Sequence, residues 1–434
     1  KLLGSCMSKR LISSIAMLVG LSCSASAWAE EDVVSQYLAR LLSQHPAVRA
    51  KNFDHLATDR LVTAAWMQFL PTPSVSADKG PASTSTSGEE SRHATVYRLS
   101  QPIWTGGRLT AGLDAARLRR ELATLDIQDI SQNLSLKFIG LYQSWWGLEA
   151  KVRIQKRDLK RLESLRDMMV RRVESGVSAE IDLDLASVRV VQQQADLAQS
   201  QRQLASVSGQ IQELFGESFP LKSVDSRQTP RIAMPYDDLA GRVLVLSPAL
   251  RKAQVSERLA LVEVDQAMAD ASPTLSMRAE RQKGFYSGSL PATKDGESRV
   301  YASVQFSLGA AGSVIPQIRA ASARAQSATE NIDTAKRELM SQLKSDWEDY
   351  LSVNERLPRL QRAVNSAATV VDSSMRLFTS GRRSWLDLIN AVREHSQSEL
   401  QLIDAQAALI GSNSKIRLMI GQLGVLAADA SVVN

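Results

Sequence analysis

The stretch SGVSAEIDL at residues 175–183 returns as SGRRSWLDL at residues 380–388, an offset of 205 residues. In both copies a Ser-Gly pair is followed, six residues after the glycine, by an aspartate. Glycine at the end of a helical pattern marks a helix C-terminus, and an acid in the first turn of a helix complements its dipole. Each copy therefore predicts the turn of a helical hairpin.

The duplication extends over most of the chain. His45-Pro46 is echoed by Ser247-Pro248 at an offset of 202, and Phe215-Gly216 by Ile420-Gly421 at 205. Such a period is too long for a short-repeat solenoid, so we predict one unit of about 200 residues used twice. The predicted divisions are a first repeat at 30–220, a linker at 221–237, a second repeat at 238–424 and a tail at 425–434.

Apolar residues recur every seven positions after each turn, which predicts a left-handed coiled coil. These positions are Leu183, Val190, Leu197, Leu204 and Ile211 in the first repeat and Leu388, His395, Leu402, Leu409 and Ile416 in the second. Residues 110–173 contain no proline and no strong break, so they predict a helix of roughly 95 Å. Further long helices are expected at 178–214, 314–378 and 384–420, with a kink at Pro358.

Apolar and polar residues alternate in four short segments. The clearest is at 300–304, where Val300, Ala302 and Val304 alternate with Tyr301 and Ser303. About ten residues of such alternation is the pattern of a membrane β-strand with one wet face. We predict two β-hairpins, one at 72–103 with strands 72–80 and 94–103, the other at 273–308 with strands 273–283 and 298–308. Their tips lie in polar loops rich in Ser, Thr, Gly and Glu.

The strand count limits the architecture. Four strands leave open sheet edges, which lipid does not tolerate, whereas three copies supply twelve strands, an even number that can close. We therefore expect a mainly α fold with a small β part: a long coiled-coil α-barrel, plus four membrane strands per chain that close as a 12-stranded β-barrel in a homotrimer. A soluble four-stranded sheet with long helices fits the alternation equally well.

The N-terminus and the composition exclude several function classes. Residues 1–29 have a basic start at Lys9-Arg10, an apolar core and a small-residue site at Ala27-Trp28-Ala29, which predicts a signal peptide. Both cysteines precede that site, so we expect neither a disulfide nor a thiolate site. The 52 basic and 46 acidic residues leave a small positive charge once the leader is removed, which disfavours nucleic-acid binding. No catalytic, cofactor or metal motif is present, so we expect no enzyme and no cofactor.

The order of helix, β-hairpin and helical hairpin, used twice, resembles the TolC family of outer-membrane channels. Gln101-Pro102-Ile103-Trp104 with Gly106-Gly107-Arg108, and the turn segments 176–182 and 381–387, carry the resemblance. It implies a homotrimer in the outer-membrane lipid whose helices extend into the periplasm. It also implies two partners, a periplasmic adaptor and an inner-membrane ABC transporter or other pump.

The resemblance also assigns the tips two roles. The residues expected to dock the adaptor are Gly176, Val177, Ser178, Gly381, Arg382 and Ser384. The residues expected to form a periplasmic gate are Asp182, Arg383, Asp387, Asn390 and Phe378.

Each gate residue has a physical interpretation. Three copies of Asp387 would form a carboxylate ring, although an acid there also simply complements the helix dipole. Family members commonly have a second acid where this chain has Asn390, and often a tyrosine where it has Phe378. Arg383, a cation opposed by the dipole of its own helix, needs an anionic partner, and we hypothesise a pair with Asp182. Two unrelated solvated charges are the alternative.

We therefore expect the exit duct of a type I secretion system, which passes an unfolded polypeptide such as an adhesin or toxin. Segment 101–108 resembles the secretion-type members. The first alternative is the outer-membrane channel of a drug or metal efflux pump. The second is a periplasmic coiled-coil structural protein without a pore.

Overall fold

The structure is a computed structural model that describes residues 33–79, 93–217, 220–223, 230–284, 298–307, 309 and 312–423. The predicted signal peptide and C-terminal tail, and the polar loops of both β-hairpins, lie outside the described residues. Within those ranges the chain forms eight helices and four strands.

The elements occur in the same order twice. The first series is α1 (Val33–Gln44), α2 (Pro46–Met67), β1 (Thr72–Lys79), β2 (His93–Trp104), α3 (Arg108–Glu174) and α4 (Glu180–Phe215). The second series is α5 (Tyr236–Leu246), α6 (Pro248–Ala269), β3 (Thr274–Lys283), β4 (Ser298–Gln305), α7 (Val314–Thr379) and α8 (Trp385–Met419). The predicted mainly α architecture with a small β part is thereby confirmed.

The long helices are uninterrupted. α3 has 67 residues and α7 has 66, which corresponds to about 100 Å each. α7 continues through Pro358. All four long helices begin and end within two residues of the predicted positions. None of the helices in the described ranges combines the length and apolarity that crossing a membrane would need.

Residues of the seven-residue pattern lie where the long helices contact each other. α3 packs along α4, α7 packs along α8, and α3 also contacts α2, α6 and α8. The buried side chains of α3 include Phe138, Tyr142, Trp146 and Asp158, which are spaced by four and twelve residues rather than by seven. Since α3 is covered on several sides, its buried stripe is wider than that of a two-helix coiled coil. Four predicted seam positions of α8 are buried, namely Leu388, His395, Leu402 and Ile416.

The four strands form one antiparallel sheet in the order β1-β2-β3-β4. β1 with β2 and β3 with β4 are the two predicted hairpins, and β2 pairs with β3 to join the repeats. β4 ends at Gln305, short of the predicted end at residue 308.

The register separates two faces of the sheet, because directly paired residues point to the same side. On one face lie large apolar side chains that are exposed in the chain, namely Val75, Tyr97, Leu99, Met277, Val300 and Val304. On the other face lie two rows of polar side chains, Ser74-Arg98-Glu280-Arg299 and Thr72-Ser100-Arg278-Tyr301. The alternation predicted for single strands is therefore in phase across all four.

The segment that carried the family resemblance is a structural junction between β2 and α3. The Gln101 side-chain amide donates to the carbonyl of Phe69, at 2.9 Å, and so ties β2 to the end of α2. Gly106 has a φ of +62°, and a Cβ placed there would lie 2.2 Å from the Cβ of Ser272. Both conformation and close approach therefore require glycine at this turn.

Two tyrosines hold residues near the two ends of the predicted linker. The hydroxyl of Tyr142 donates to the carbonyl of Lys222 at 2.9 Å, and the N–H of Ile232 donates to the hydroxyl of Tyr350 at 3.0 Å. Both tyrosines are buried in apolar clusters. Each long helix after a β-hairpin thus fixes one end of the connection between the repeats.

The start of α2 gives the fold a pH-dependent element. His45 Nδ1 accepts a hydrogen bond from the N–H of Ala47, at 3.1 Å, and caps the helix. Burial, and then the nearby Lys137, lower the pKa of His45. The neutral form is therefore favoured in the folded chain, and protonation of Nδ1 removes the acceptor. This stabilisation is complete above the unfolded-state pKa of about 6.5 and is lost as the pH falls through the folded-state value.

We expect the thermal midpoint to fall between about pH 7.5 and pH 5, and His45→Ser to flatten that part of the dependence. Serine is the matched choice because Ser247 caps α6 at the equivalent place, accepting from the N–H of Leu250. The cap contributes about 1 kcal/mol. The measurement is helical circular dichroism against temperature at several pH values. His55→Ser, on the same helix away from the cap, is the control, and an equal flattening in it would contradict the prediction.

Candidate functional site at the helical tips

Both long helical hairpins end in the same kind of turn. Gly176 has a φ of +72°, and the N–H of Val177 donates to the carbonyl of Arg172 at 2.8 Å. A Cβ at this glycine would meet nothing within 4 Å, so the left-handed backbone rather than lack of space requires it. The equivalent atoms of the second turn belong to Gly381, Arg382 and Leu377, with a φ of +72° and a distance of 2.8 Å.

The two helices that leave these turns start differently. Ser384 Oγ accepts from the N–H of Asp387, at 3.1 Å, and donates to the carboxylate of Asp387, at 2.8 Å. This side-chain cap satisfies a donor at the start of α8. At the matching place before α4, Ala179 provides no side-chain cap. Ser384, predicted as a docking residue, is therefore also the cap that orients Asp387.

Arg383 has two polar contacts in the chain. Its Nη1 donates to Ser374 Oγ at 2.7 Å, and its Nε lies 3.9 Å from Asp387 Oδ2. The first partner is uncharged and the second contact exceeds hydrogen-bond length. Among the described residues, Asp182 forms no ion pair with Arg383, and their pairing stays a prediction for the assembled protein.

An apolar cluster, which we call the tip core, joins the two hairpins just behind these turns. Its buried members are Leu165, Met169, Ala186, Val371, Phe378, Trp385, Leu388, Ile389 and Val392. They come from all four long helices, so the tips of the two repeats are packed as one body.

Phe378 belongs to the tip core. Its ring lies 5.5 Å from that of Trp385, and the guanidinium of Arg172 lies 4.7 Å from its centroid. The same guanidinium donates through Nε to Ser178 Oγ, at 3.1 Å. Arg172 thus connects the first turn to the end of α7 through a cation–π contact. Phe378 is therefore a packing residue of the tip core, and its place in a gate stays a prediction.

The remaining predicted residues lie on the surface of the tips. Arg382, Asp387 and Asn390 are exposed, and Asp182 is half-buried in the first turn of α4. Large apolar side chains are exposed beside them. Val177 was predicted as a docking residue, whereas Ile181, Leu377 and Leu386 were not predicted from the sequence. The available signal was that these residues fall outside the seven-residue seams.

A buried polar cluster, also missed from the sequence, joins α3 to α8 behind the tip core. Asp158 is only 2% exposed, and its carboxylate accepts from Ser396 Oγ at 2.6 Å and from Arg157 Nη2 at 3.1 Å. Arg157 also pairs with Glu399 of α8, and Nδ1 of His395 lies 3.5 Å from the same carboxylate. The sequence signal was an acid seven residues before the buried Leu165.

Opposing effects act on the guanidinium of this cluster. Burial lowers the pKa of Arg157, while hydrogen bonding to Glu399 and the charge of Asp158 raise it, and the net shift is upward. The cation is therefore stable at every pH at which the protein is folded. Because Arg157 contacts one acid on its own helix and one on α8, it links the two repeats as a charge bridge.

The side chains at the tips can bind another protein through apolar and charged contacts. In the part of the chain that the structure describes, no group of three or more His, Cys, Asp or Glu side chains is arranged to hold a metal ion. The tips present exposed apolar side chains, one arginine with weak partners and one capped aspartate.

Comparison with known families identifies the same two units. The sequence profile of the outer membrane efflux protein family matches residues 37–217 and again 239–422. Among curated protein sequences, none matches the chain.

Solved outer-membrane channels share the fold. The outer-membrane channel OprN is 21% identical, with a TM-score of 0.78, over 90% of this chain and 90% of its own. CusC, described for its folding and transmembrane channel formation, is 16% identical with a TM-score of 0.79, over 89% and 91%. The outer-membrane protein VceC of Vibrio cholerae is 14% identical with a TM-score of 0.76, over 89% and 96%.

We expect Asp158→Ala to destabilise the helical part by about 1–3 kcal/mol, because it removes a buried carboxylate and leaves the half-buried Ser396 hydroxyl without its acceptor. Asp167→Ala is the matched control. Asp167 also follows an arginine with which it pairs, but its side chain is 53% exposed, so its removal should change stability by less than about 0.5 kcal/mol. The thermal midpoint of helical circular dichroism measures both, and equal effects would contradict a special role for the cluster.

Proposed function

The chain belongs to the outer membrane efflux protein family, and from this premise we propose that it is the homotrimeric exit duct of a tripartite export system. Members of the family are channels of the outer membrane with a helical part in the periplasm, not enzymes. The proposal concerns how this chain assembles, what opens it and what passes through it.

The observation that carries the proposal is the two-faced sheet. Its apolar face is exposed in the chain, with Val300 and Val304 each 71% accessible, and its edges β1 and β4 have no neighbour among the described strands. In lipid an apolar face is stable, but an open edge is not. Three copies that join β4 of one to β1 of the next remove every edge and give twelve strands.

The helical tips support the duct from the other end. Since the tip core packs both hairpins together, docking at either turn acts on one body. The exposed apolar side chains of Val177, Ile181 and Leu386 suit contact with a periplasmic adaptor of complementary apolar surface. We propose that such an adaptor binds here and links the duct to an inner-membrane transporter.

We propose that Arg383 of one chain pairs with Asp182 of a neighbouring chain and holds the tips together at rest. Two features support this: the present partners of Arg383 are a hydroxyl and a distant carboxylate, and Asp182 is half-buried at the start of α4. A largely exposed pair contributes about 0–1 kcal/mol per contact. Three such contacts make a latch that adaptor binding can open.

For the cargo, we propose an unfolded polypeptide delivered by a type I system with an ABC transporter. The support is the resemblance of segment 101–108 to secretion-type members. In the structure this segment joins β2 to α3 and does not itself identify the cargo, which the deletion experiment below tests. Efflux of drugs or metals is the second candidate, favoured by the description of the matched family.

We expect purified protein in planar bilayers to give small, flickering channels, and Arg383→Ala to give larger, longer openings because the latch is lost. Arg382→Ala, at the adjacent exposed arginine, is the matched control and should leave the conductance unchanged. A wild-type channel that Arg383→Ala does not alter would discard the latch and keep the duct. Well-folded trimers that never conduct would contradict the duct itself.

Deletion of the gene in its host tests the cargo. We expect a polypeptide to disappear from the culture medium, to return on complementation, and the susceptibility of the cells to drugs and metal ions to stay unchanged. Raised susceptibility with normal secreted protein would establish the second candidate instead. Complementation with a chain carrying Val177→Asp and Leu386→Asp, which places charges on the tips without touching the tip core, should fail in either case.

A further inference from the structure

The polar face of the sheet has an excess of positive charge. Arg98, Glu280 and Arg299 lie side by side on three adjacent strands, and Arg278 lies in the next row. Among the strand residues whose side chains are described, this face therefore has three guanidinium groups and one carboxylate. Among these described side chains the excess is two positive charges per chain, and Asp78 of β1 lies outside that count.

Glu280 cannot neutralise the row. Its carboxylate pairs with Arg98 and lies 4.0 Å from Arg299, so it is shared between two arginines and its side chain is only 10% exposed. Arg98 and Arg299 remain 42% and 35% exposed on the same face. Positive charge thus faces the open side while the single negative charge is covered.

Arg278 adds a cation without any acid opposite it. Its neighbours across the sheet are Ser100 and Tyr301. Its Nε is buried and has no hydrogen-bond partner among the described residues. Arg278 therefore adds a positive charge to this face that no acid in its own row offsets.

The opposite face also has cations, and they lie next to the hairpin loop. Arg281 and Lys283 are on the apolar face, where Arg281 pairs with Ser298 of β4 and Lys283 with Thr95 of β2. A cation that faces lipid is tolerated near the membrane surface and not at the midplane. The three arginines of the polar face have no such restriction, since that face lines water in a closed sheet.

We propose that Arg98, Arg278 and Arg299 form an anion-selective filter at the outer-membrane end of the duct and are its specificity-determining residues for acidic cargo. Rings of Arg or Lys select anions because they raise the local anion concentration in a confined pore. The inference rests on the proposed duct and adds the sign of charge that it favours. For a polypeptide cargo, it predicts easier passage of segments rich in Asp and Glu.

The test is the permeability ratio of chloride to potassium, from reversal potentials in planar bilayers under a KCl gradient. We expect the triple variant Arg98→Gln, Arg278→Gln, Arg299→Gln to lower this ratio severalfold. Arg281→Gln, which removes the same charge from the apolar face, should leave it unchanged. Arg299→Gln alone, at the weakest of the pairs, should give a smaller decrease and guards against misfolding of the triple variant.

The negative charges at the tip could also affect the measured permeability ratio, so they are removed in this experiment. Measuring all proteins in an Asp387→Asn background removes the tip carboxylates, which act on the same path with the opposite sign. Equal ratios in the triple variant and Arg281→Gln, with conductance intact, would overturn the filter and leave the duct standing. Absence of conductance in all well-folded proteins would overturn the duct.

A second measurement addresses chain-like cargo. Oligoglutamate and oligolysine of equal length are added on the hairpin side of the bilayer, and the current blocks are timed. We expect longer blocks with oligoglutamate in the wild type and equal blocks in the triple variant. Equal blocks already in the wild type would overturn the preference for acidic chains.

Discussion

The packing of α3 against four other long or medium helices is the constraint on which the rest of the chain depends. It contacts α2, α4, α6 and α8 along its length, so it packs against helices of both repeats. It begins at the glycine junction that receives the sheet and ends at the first tip. A single rigid helix of about 100 Å therefore fixes the distance and the rotation between the membrane end and the periplasmic end.

The two repeats use this common frame differently at their ends. His45 and Ser247 cap equivalent helices with different chemistry, and Ser384 caps α8 where Ala179 leaves α4 without a side-chain cap. Duplication conserves the turn geometry, because only glycine reaches the required φ without strain. The side chains around each turn are not constrained in that way, so charge and capping diverge there. The tips of the assembled protein consequently alternate between two surfaces.

The periodic patterns of apolar residues in the sequence predicted the fold. Parts of the site could not be predicted because they depend on contacts between residues far apart in the sequence. The seven-residue and two-residue patterns are local, so they predicted the long helices to within two residues and put the strand faces in phase. The wide buried stripe of α3 depends on its contacts with α6 and α8 of the other repeat, which no local pattern contains. Similarly, the family resemblance assigns Phe378 to the gate by its corresponding position, whereas its contacts with Arg172 and Trp385 bring together three helix ends. Ser396, the partner of Asp158 on α8, is of the same non-local kind.

The two ends of the proposed duct have charges of opposite sign, so they interact differently with a charged cargo. In a trimer, three copies of Asp387 would contribute a negative ring at the tip, and Ser384 orients this carboxylate within each chain. At the sheet, three copies of the Arg98 row contribute a positive ring partly compensated by Glu280. The two are separated by a helix length that is about ten times the screening distance at 0.1 M salt, so neither neutralises the other. An acidic segment is therefore repelled where it enters and attracted where it leaves, and a transporter that pushes it past the first ring meets a favourable gradient at the second.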